Sequence, residues 1–204
     1  MALLLAVLAV LGMGGYLCVF VALHALPTGY HPVRHAVSDY GVGRYARLFR
    51  WAAVASSVGI LALAAGLAFE PGTPTVTVLQ LVFLFLIPVT RVGMLKFPTD
   101  LEGQRLTRSG RLHYLFAVAA FALTYSAIAG MTPELGSVGS VGAWESASGL
   151  LSVLRLVALV SLVLLVIALV PRLRVVFGLF ERVFLLSTNL WFLTAGICLF
   201  VEAA

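Results

Sequence analysis

The first polar connection of the chain, residues 27–47 (connection one), holds the densest group of residues able to do chemistry. Its central part reads Tyr-His-Pro-Val-Arg-His-Ala-Val-Ser-Asp-Tyr-Gly. If this part is helical from Pro32, a residue suited to a first helical position, then His31, His35 and Asp39 align at steps of four. Two imidazoles and a carboxylate on one face can hold Zn or Fe. Further ligands would come from three residues elsewhere: His24, Asp100 and His113.

This spacing leads to the hypothesis of a metal-dependent membrane hydrolase. In it, Zn is held by His31, His35, Asp39 and His113 and activates a water molecule. The spacing lacks a signature such as His-Glu-x-x-His. In the alternative, the histidines lie at the level of the lipid headgroups, and Ser38 or Asp39 caps a helix leading into the second span.

A second polar connection, residues 96–110 (connection three), carries acids, hydroxyls and arginines. Thr99 or Asp100 could cap a short interfacial helix, and Asp100 could pair with an arginine. His113 lies about one turn inside the following helix, where an ionisable group needs a partner or water.

Charged residues also occur inside the last two apolar stretches. Glu181 suits the positive end of a helix dipole, or it pairs across the bundle with connection one or three. Arg182 is expected to snorkel to lipid phosphates. Arg155, about two turns into the fifth helix, either snorkels outward with Glu145 as its partner or forms an anion site.

Acids, hydroxyls and a histidine from three parts of the chain therefore lie at one predicted depth. They predict a cytoplasm-facing polar pocket formed by Ser38, Asp39, Asp100, His113 and Glu181. Nearby arginines would suit a phosphate headgroup, so the pocket is expected to bind or handle a membrane lipid or an isoprenoid-like amphipathic ligand. The residues leave open whether the protein is an enzyme. In a third interpretation it is a structural or accessory subunit of a homo- or hetero-oligomer, and its motifs only lock helix ends together.

The elements that position these residues follow from composition. Of 204 residues, 62% are hydrophobic and 10% are charged, and the mean hydropathy is +1.10. A water-soluble domain has about a quarter charged residues. Continuous apolar runs of roughly 20 residues predict membrane-spanning helices. The chain is therefore predicted to be one all-α domain, residues 1–204, with six transmembrane helices at about 2–26, 48–69, 75–95, 111–131, 148–170 and 179–202.

The basic residues predict the orientation of this bundle. Twelve of the thirteen Lys and Arg residues lie in or beside connections one, three and five, the last of these being residues 171–178. Connection two, a short turn predicted at residues 70–74, and connection four, the Gly- and Ser-rich residues 132–145, hold none. By the positive-inside rule, connections one, three and five are expected in the cytoplasm and both termini are expected to be extracytoplasmic. The same distribution argues against nucleic acid as a partner.

Small residues at helical spacing predict close packing between helices. On the fourth helix they form a stripe that includes one histidine: Gly110, His113, Ala117, Ala120, Thr124 and Ala127. On the second, Ala52, Ser56, Gly59 and Gly66 share a comparable face. Small residues let helix backbones approach each other in lipid, so both stripes should face the bundle interior.

Four motifs carry a resemblance to a known family. They are Ser38-Asp39-Tyr40-Gly41 after the first span, Phe97-Pro98-Thr99-Asp100 with Gly103 after the third, Gly110-x-x-His113 opening the fourth, and Gly178-x-x-Glu181-Arg182 with Trp191 in the sixth. With them the chain resembles, over nearly its whole length, the bacterial and archaeal membrane family of domain of unknown function 998. The resemblance implies six helices, a location in a bacterial or archaeal plasma membrane and no established activity.

The chain is also similar, more distantly, to the damage-regulated autophagy modulator and Sfk-type membrane proteins. These have an Ile-Ser-Asp-like motif after the first span and a Gly-x-x-His-like start to a later span. That similarity implies a link to lipid remodelling or phosphoinositide regulation by analogy. The chain differs from these proteins in having His35 and Tyr40 around Ser38-Asp39.

Overall fold

Six long helices account for most of the residues that the structure describes. The computed structural model describes residues 1–69, 76–101, 103–137 and 142–204. The helices are α1 (Ala2–Ala25), α2 (Ala46–Phe69), α3 (Val78–Lys96), α4 (Arg108–Ser137), α5 (Ala143–Ile167) and α6 (Phe177–Ala203). Each is long and apolar enough to cross a membrane. The described residues contain no strand, and the predicted all-α bundle of six membrane helices is confirmed.

The helix boundaries differ most from the predicted ones around connection four. There α4 continues to Ser137 and α5 already begins at Ala143, although the Gly- and Ser-rich composition indicated a longer connection. Side chains of α6 stabilise both extensions. The Trp191 indole donates to Thr132 Oγ1 at 3.1 Å, and Glu202 Oε1 accepts from the backbone N–H of Ala143 at 2.7 Å. The turn predicted at residues 70–74, in connection two, lies outside the described residues.

Each helix packs against its neighbours in the sequence, and α1 also packs against α6, so the six helices form a closed ring. Contacts between α2 and α6 cross the ring and fill its centre. Connections one (26–45), three (97–107) and five (168–176) gather at one end of the bundle, which we call the basic face. The other end holds both termini.

Glycines set the closest approach in the ring, between α1 and α2. A Cβ on Gly12 would lie 2.5 Å from the carbonyl oxygen of Ala55 and 2.7 Å from the backbone nitrogen of Gly59. The predicted interior face of α2 is confirmed, since Ser56 and Gly59 are buried. The α4 stripe also faces inward, because Ala120, Thr124 and His113 are each at most 6% exposed.

Connection one does not form the helix expected from Pro32. A single turn, in which Arg34 and His35 donate to the carbonyl oxygen of His31, ends at an extended Ala36. A 3₁₀ turn (Val37–Gly41) follows, and α2 begins only at Ala46. The alignment of His31, His35 and Asp39 along one helix is therefore wrong, and neither Ser38 nor Asp39 caps α2.

The reason lies in α6, which takes the backbone groups that a helix in connection one would use. In a continuous helix, Val37 N–H would donate to the Val33 carbonyl. Instead Val37 donates to Glu181, and the Val33 carbonyl accepts from Leu179 N–H at 3.0 Å. The tertiary contacts thus override the local helical pattern.

Candidate functional site

Glu181 fastens the 3₁₀ turn of connection one to α6. Its Oε2 accepts from the backbone N–H of Val37 at 2.6 Å, and the residue is 6% exposed. The predicted contact of Glu181 with connection one is confirmed. The residue is not in the first turn of α6, which begins at Phe177, so the helix dipole does not explain its position.

Arg182 joins α6, connection one and the end of α1. Its guanidinium donates to four acceptors: His35 O at 2.6 Å, His24 Nε2 at 2.7 Å, Gly178 O at 2.9 Å and Tyr40 Oη at 3.1 Å. Only 7% of the residue is exposed. The expectation that Arg182 snorkels to lipid phosphates is wrong, because the protein itself supplies the acceptors.

Gly178 allows this contact to form. A Cβ at this position would overlap the carbonyl oxygen of His35 and would lie 2.8 Å from that of Pro32. Only a residue without a side chain lets the start of α6 approach the backbone of connection one so closely. The motif Gly178-x-x-Glu181-Arg182 therefore holds connection one against α6, and we call this set of contacts lock one.

Aromatic side chains and His24 support lock one. His24 Nδ1 lies 2.6 Å from the Phe20 carbonyl, which only accepts, so Nδ1 carries the proton and Nε2 accepts from Arg182. The ring of Tyr30 packs edge-on against those of His35 and Tyr40. Burial, followed by the Asp39 carboxylate, raises the pKa of Tyr30, so its phenol stays protonated at neutral pH.

Connection three is fastened to α4 by a second device, lock three. Asp100 Oδ2 accepts from the Thr107 N–H at 2.7 Å, and Oδ1 accepts from the Thr107 hydroxyl at 2.9 Å. The Thr107 hydroxyl in turn accepts from Gly110 N–H at 3.1 Å and caps α4. A Cβ on Gly110 would overlap Asp100 Oδ2. The described part of connection three holds no helix, so the expected cap of an interfacial helix by Thr99 or Asp100 is wrong.

His113 completes lock three from inside α4. Its Nδ1 donates to the Phe97 carbonyl at 2.9 Å, and the residue is 4% exposed, which confirms that it faces the bundle interior. The other ring nitrogen, Nε2, is buried and has no hydrogen-bond partner within the described residues. This nitrogen is an acceptor if the ring is neutral.

A cavity of about 350 Å³ lies beside the two locks, between α4 and α5. Its walls are apolar and come from α4 between residues 117 and 122, from α5 between residues 162 and 166, and from Leu169 just beyond α5. Phe177 closes it at the start of α6. Val118, Val166 and Leu169 in these walls are more than half exposed, so the cavity is open along the outer surface of the bundle. We call it the α4–α5 slot.

The mouth of the slot is polar and lies at the basic face. It is lined by parts of connections one, three and five: Arg34, His35, Asp39, Thr99, Asp100 and Arg174. A second cavity of about 250 Å³ adjoins the mouth and shares Asp100, Tyr114 and Arg174 with the slot. Gln104 of connection three lines this second cavity as well. The two spaces form an apolar compartment with a polar vestibule.

The residues predicted for the polar pocket fall into two groups. Asp39 and Asp100 line the slot, whereas the described residues around it do not include Ser38, His113 or Glu181. Glu181 lies beneath the 3₁₀ turn, and His113 holds Phe97. The sequence did not single out Arg34, Arg174 or Tyr114, although the basic residues of connections one and five were a signal for the two arginines.

The residues proposed as metal ligands do not assemble into a ligand set. Within the described ranges, no three His, Cys, Asp or Glu side chains lie close enough together to hold one metal ion. His35 Nδ1 accepts from the backbone N–H of His31, and His113 Nδ1 donates to Phe97 O. The four proposed ligands, His31, His35, Asp39 and His113, are therefore not brought together as one ligand set in the described part of the chain.

Two further arginines lie within the span of the bundle. Arg91 is one of the twelve basic residues assigned above to connections one, three and five, but it lies inside the bundle. Its Nη1 donates to Ser56 Oγ at 2.5 Å, and Ser56 Oγ donates to Asn189 Oδ1 at 3.2 Å. This polar group links α2, α3 and α6. Arg155 is partly buried, and its Nε has no hydrogen-bond partner in the described part of the chain.

Comparison with known proteins identifies the family. The model of the family described as protein of unknown function (DUF998) matches residues 10–197, and the chain belongs to this family. No curated protein and no solved structure matches the chain.

Proposed function

We propose that the protein binds an amphipathic membrane lipid, or an isoprenoid-like ligand, with its tail in the α4–α5 slot and its head in the polar vestibule. The observation that supports this most directly is the slot itself, which has apolar walls, is open along the outer surface of the bundle and ends in a polar mouth. Such a division into apolar and polar compartments matches the two halves of an amphiphile.

The depth of the slot supports a ligand from one leaflet. Its walls run from Tyr114 at the mouth to Ala122 on α4. These residues are eight positions apart, or about 12 Å along a helix. Half of a hydrocarbon core of about 30 Å is of similar size. The ligand is therefore a lipid of the leaflet that adjoins the basic face.

We further propose that the basic face is cytoplasmic, because connections one, three and five carry the basic residues. The family resemblance supports a bacterial or archaeal plasma membrane as the location of the protein. A background in which Cys18 and Cys198 are replaced by alanine allows single cysteines to be labelled on intact cells with an impermeant thiol reagent. We expect Arg172→Cys to stay unlabelled and Glu202→Cys to be labelled. The reverse pattern would contradict this orientation.

A tryptophan placed in the slot tests lipid binding. Ala122→Trp would fill the slot from an exposed wall position, so it should leave the fold intact. Leu115→Trp is the matched control, since Leu115 is 63% exposed on the same helix and does not line the slot. We expect the wild type and the control to retain lipid after purification in mild detergent, as measured by native mass spectrometry, and Ala122→Trp to lose most of it. Equal retention in all three would refute the proposal.

A second candidate function, that of a structural subunit in a membrane complex, is supported by the locks. Five motif residues contribute to contacts between helices and connections: Gly110, His113, Gly178, Glu181 and Arg182. This candidate requires a stable assembly in native membranes whose size is unchanged by Ala122→Trp. Native gel electrophoresis of the wild type and this variant distinguishes it from lipid binding.

A further inference from the structure

The charged groups at the mouth of the slot differ in how far the protein already uses them. Both carboxylate oxygens of Asp100 accept hydrogen bonds from Thr107. Asp39 is 5% exposed and also takes part in an interaction within the protein. The acids at the mouth are thus engaged with the protein itself.

The arginine side chains at the mouth, in contrast, are not held by other residues in the described part of the chain. Arg34 and Arg174 are exposed and line the slot from connections one and five, and neither guanidinium pairs with another residue in the described part of the chain. Each offers five N–H donors in a planar fork that matches the oxygens of a phosphate. Two such groups from separate connections converge on one mouth.

The vestibule adds further groups able to donate hydrogen bonds. Tyr114 and Gln104, whose side chains carry a hydroxyl and an amide, line it together with Arg174. Its volume of about 250 Å³ is separate from the apolar walls of the slot, so it can hold a head while the tail lies between α4 and α5.

We infer that the ligand is a phosphate-headed amphiphile, whose phosphate is bound by Arg34 and Arg174 at the mouth of the slot. This inference rests on the proposed function and specifies the ligand's head. A lipid phosphate and free phosphate present the same oxygen atoms to the two arginines, so the test must distinguish these two ligands. Each arginine should contribute about as much to the binding free energy as a charge-assisted hydrogen bond does.

The test uses two single-chain probes with the same tail, dodecyl phosphate and dodecyltrimethylammonium, and inorganic phosphate as a third. Binding to purified protein in maltoside micelles is measured from the rise in the thermal unfolding midpoint, because a ligand that binds only the folded state raises it. Wild type, Arg34→Gln, Arg174→Gln and Ala122→Trp are compared. Arg172→Gln is the control, since Arg172 is exposed in the same 3₁₀ segment (Pro171–Val176) but lines neither cavity.

We expect dodecyl phosphate to bind the wild type and the Arg172→Gln control equally. Its affinity should fall about tenfold with either Arg34→Gln or Arg174→Gln, because a charge-assisted bond contributes roughly this much. The cationic probe should bind at least tenfold more weakly than dodecyl phosphate. Inorganic phosphate should fail to compete at equal concentration.

The possible failures are distinguishable. If both dodecyl probes bind the wild type equally and Ala122→Trp abolishes both, the slot holds a tail but the inference about the phosphate is overturned. If inorganic phosphate competes as well as dodecyl phosphate, the site binds free phosphate and not a lipid head. If neither dodecyl probe binds the wild type, the proposed function fails as well.

Discussion

Lock one and lock three hold two connections of the basic face by similar contacts, but the hydrogen bonds run in opposite directions. In each, a glycine in the first turns of a helix lets the connection approach, and a polar residue three positions later reaches its backbone. Glu181 accepts from an N–H group, whereas His113 donates to a carbonyl. Lock one is buried and built on charges, while the Asp100–Thr107 part of lock three is exposed.

This difference predicts where a single substitution should destabilise the fold. Removing one charge from a buried group leaves its partners without compensation, which costs several kcal/mol. An exposed hydrogen bond is replaced by water at little cost. Substitutions in lock one should therefore lower the free energy of unfolding strongly, whereas substitutions in lock three should lower it only slightly. Substitutions in the two locks and at the slot can test this contrast, from the largest expected effect to the smallest.

Arg182→Met should have the largest effect. It removes the donors to His24, His35 and Tyr40 and leaves the Glu181 carboxylate buried without its neighbouring cation. We expect the free energy of unfolding to fall by about 3–5 kcal/mol, measured by reversible unfolding in mixed micelles. Arg182→Lys should recover less than half of the loss, since an ammonium cannot reach all the acceptors. A loss below 1 kcal/mol for Arg182→Met would contradict the importance of lock one.

Alanine at the two glycines compares the locks directly. Gly178→Ala would press a methyl group on backbone carbonyl oxygens, whereas Gly110→Ala would press on the Asp100 side chain, which can move. We expect losses of about 3 kcal/mol and about 1 kcal/mol respectively, in the same unfolding measurement. Gly149→Ala is the control, since a Cβ at that position would meet no neighbouring group within 4 Å, and it should be neutral or stabilising. Equal losses at Gly178 and Gly110 would remove the contrast between the locks.

Asp39→Asn and Asp100→Asn extend the comparison from stability to binding. Both residues line the slot, but Asp39 is buried in connection one and Asp100 is held by Thr107. We expect Asp39→Asn to insert normally and to lose retained lipid several-fold, with a milder effect of Asp100→Asn. Native mass spectrometry of the purified variants measures the retained lipid. Full retention by Asp39→Asn would leave that residue with a structural role only.

His113→Phe should have the smallest effect. The substitution removes the hydrogen bond to Phe97 but also removes the buried Nε2 that has no partner among the described residues. These effects oppose each other, so the free energy of unfolding should change by at most about 1 kcal/mol. Thermal unfolding in micelles with and without added lipid measures it. A loss above 2 kcal/mol only in the presence of lipid would show that Nε2 contacts the ligand.

Much of the fold could be predicted from the sequence, because lipid exposure forces long apolar runs into helices. The interior faces of α2 and α4 followed from small residues at helical spacing. The helix ends near connection four could not be placed in this way. They depend on Trp191 and Glu202, whose partners Thr132 and Ala143 lie 59 positions away in the chain.

Of the residues predicted for the polar pocket, Asp39 and Asp100 line the slot. The motif residues do gather at one end of the bundle, but the partners of Glu181 and Arg182 include backbone groups of connection one, which have no signature in the sequence. The same contacts explain why connection one is not helical from Pro32. The slot itself was not foreseen, because Ala117 was interpreted as a helix contact and in fact lines an open space.

Lock one also has a consequence for biosynthesis. Val37 and Glu181 are 144 residues apart, and a ribosome adding about 5–20 residues per second needs roughly 7–30 seconds to make the intervening chain. During that interval connection one has already emerged, while the helix that holds it does not yet exist. The membrane insertion machinery must therefore shelter a half-finished bundle in which connection one is completed only when α6 has been made.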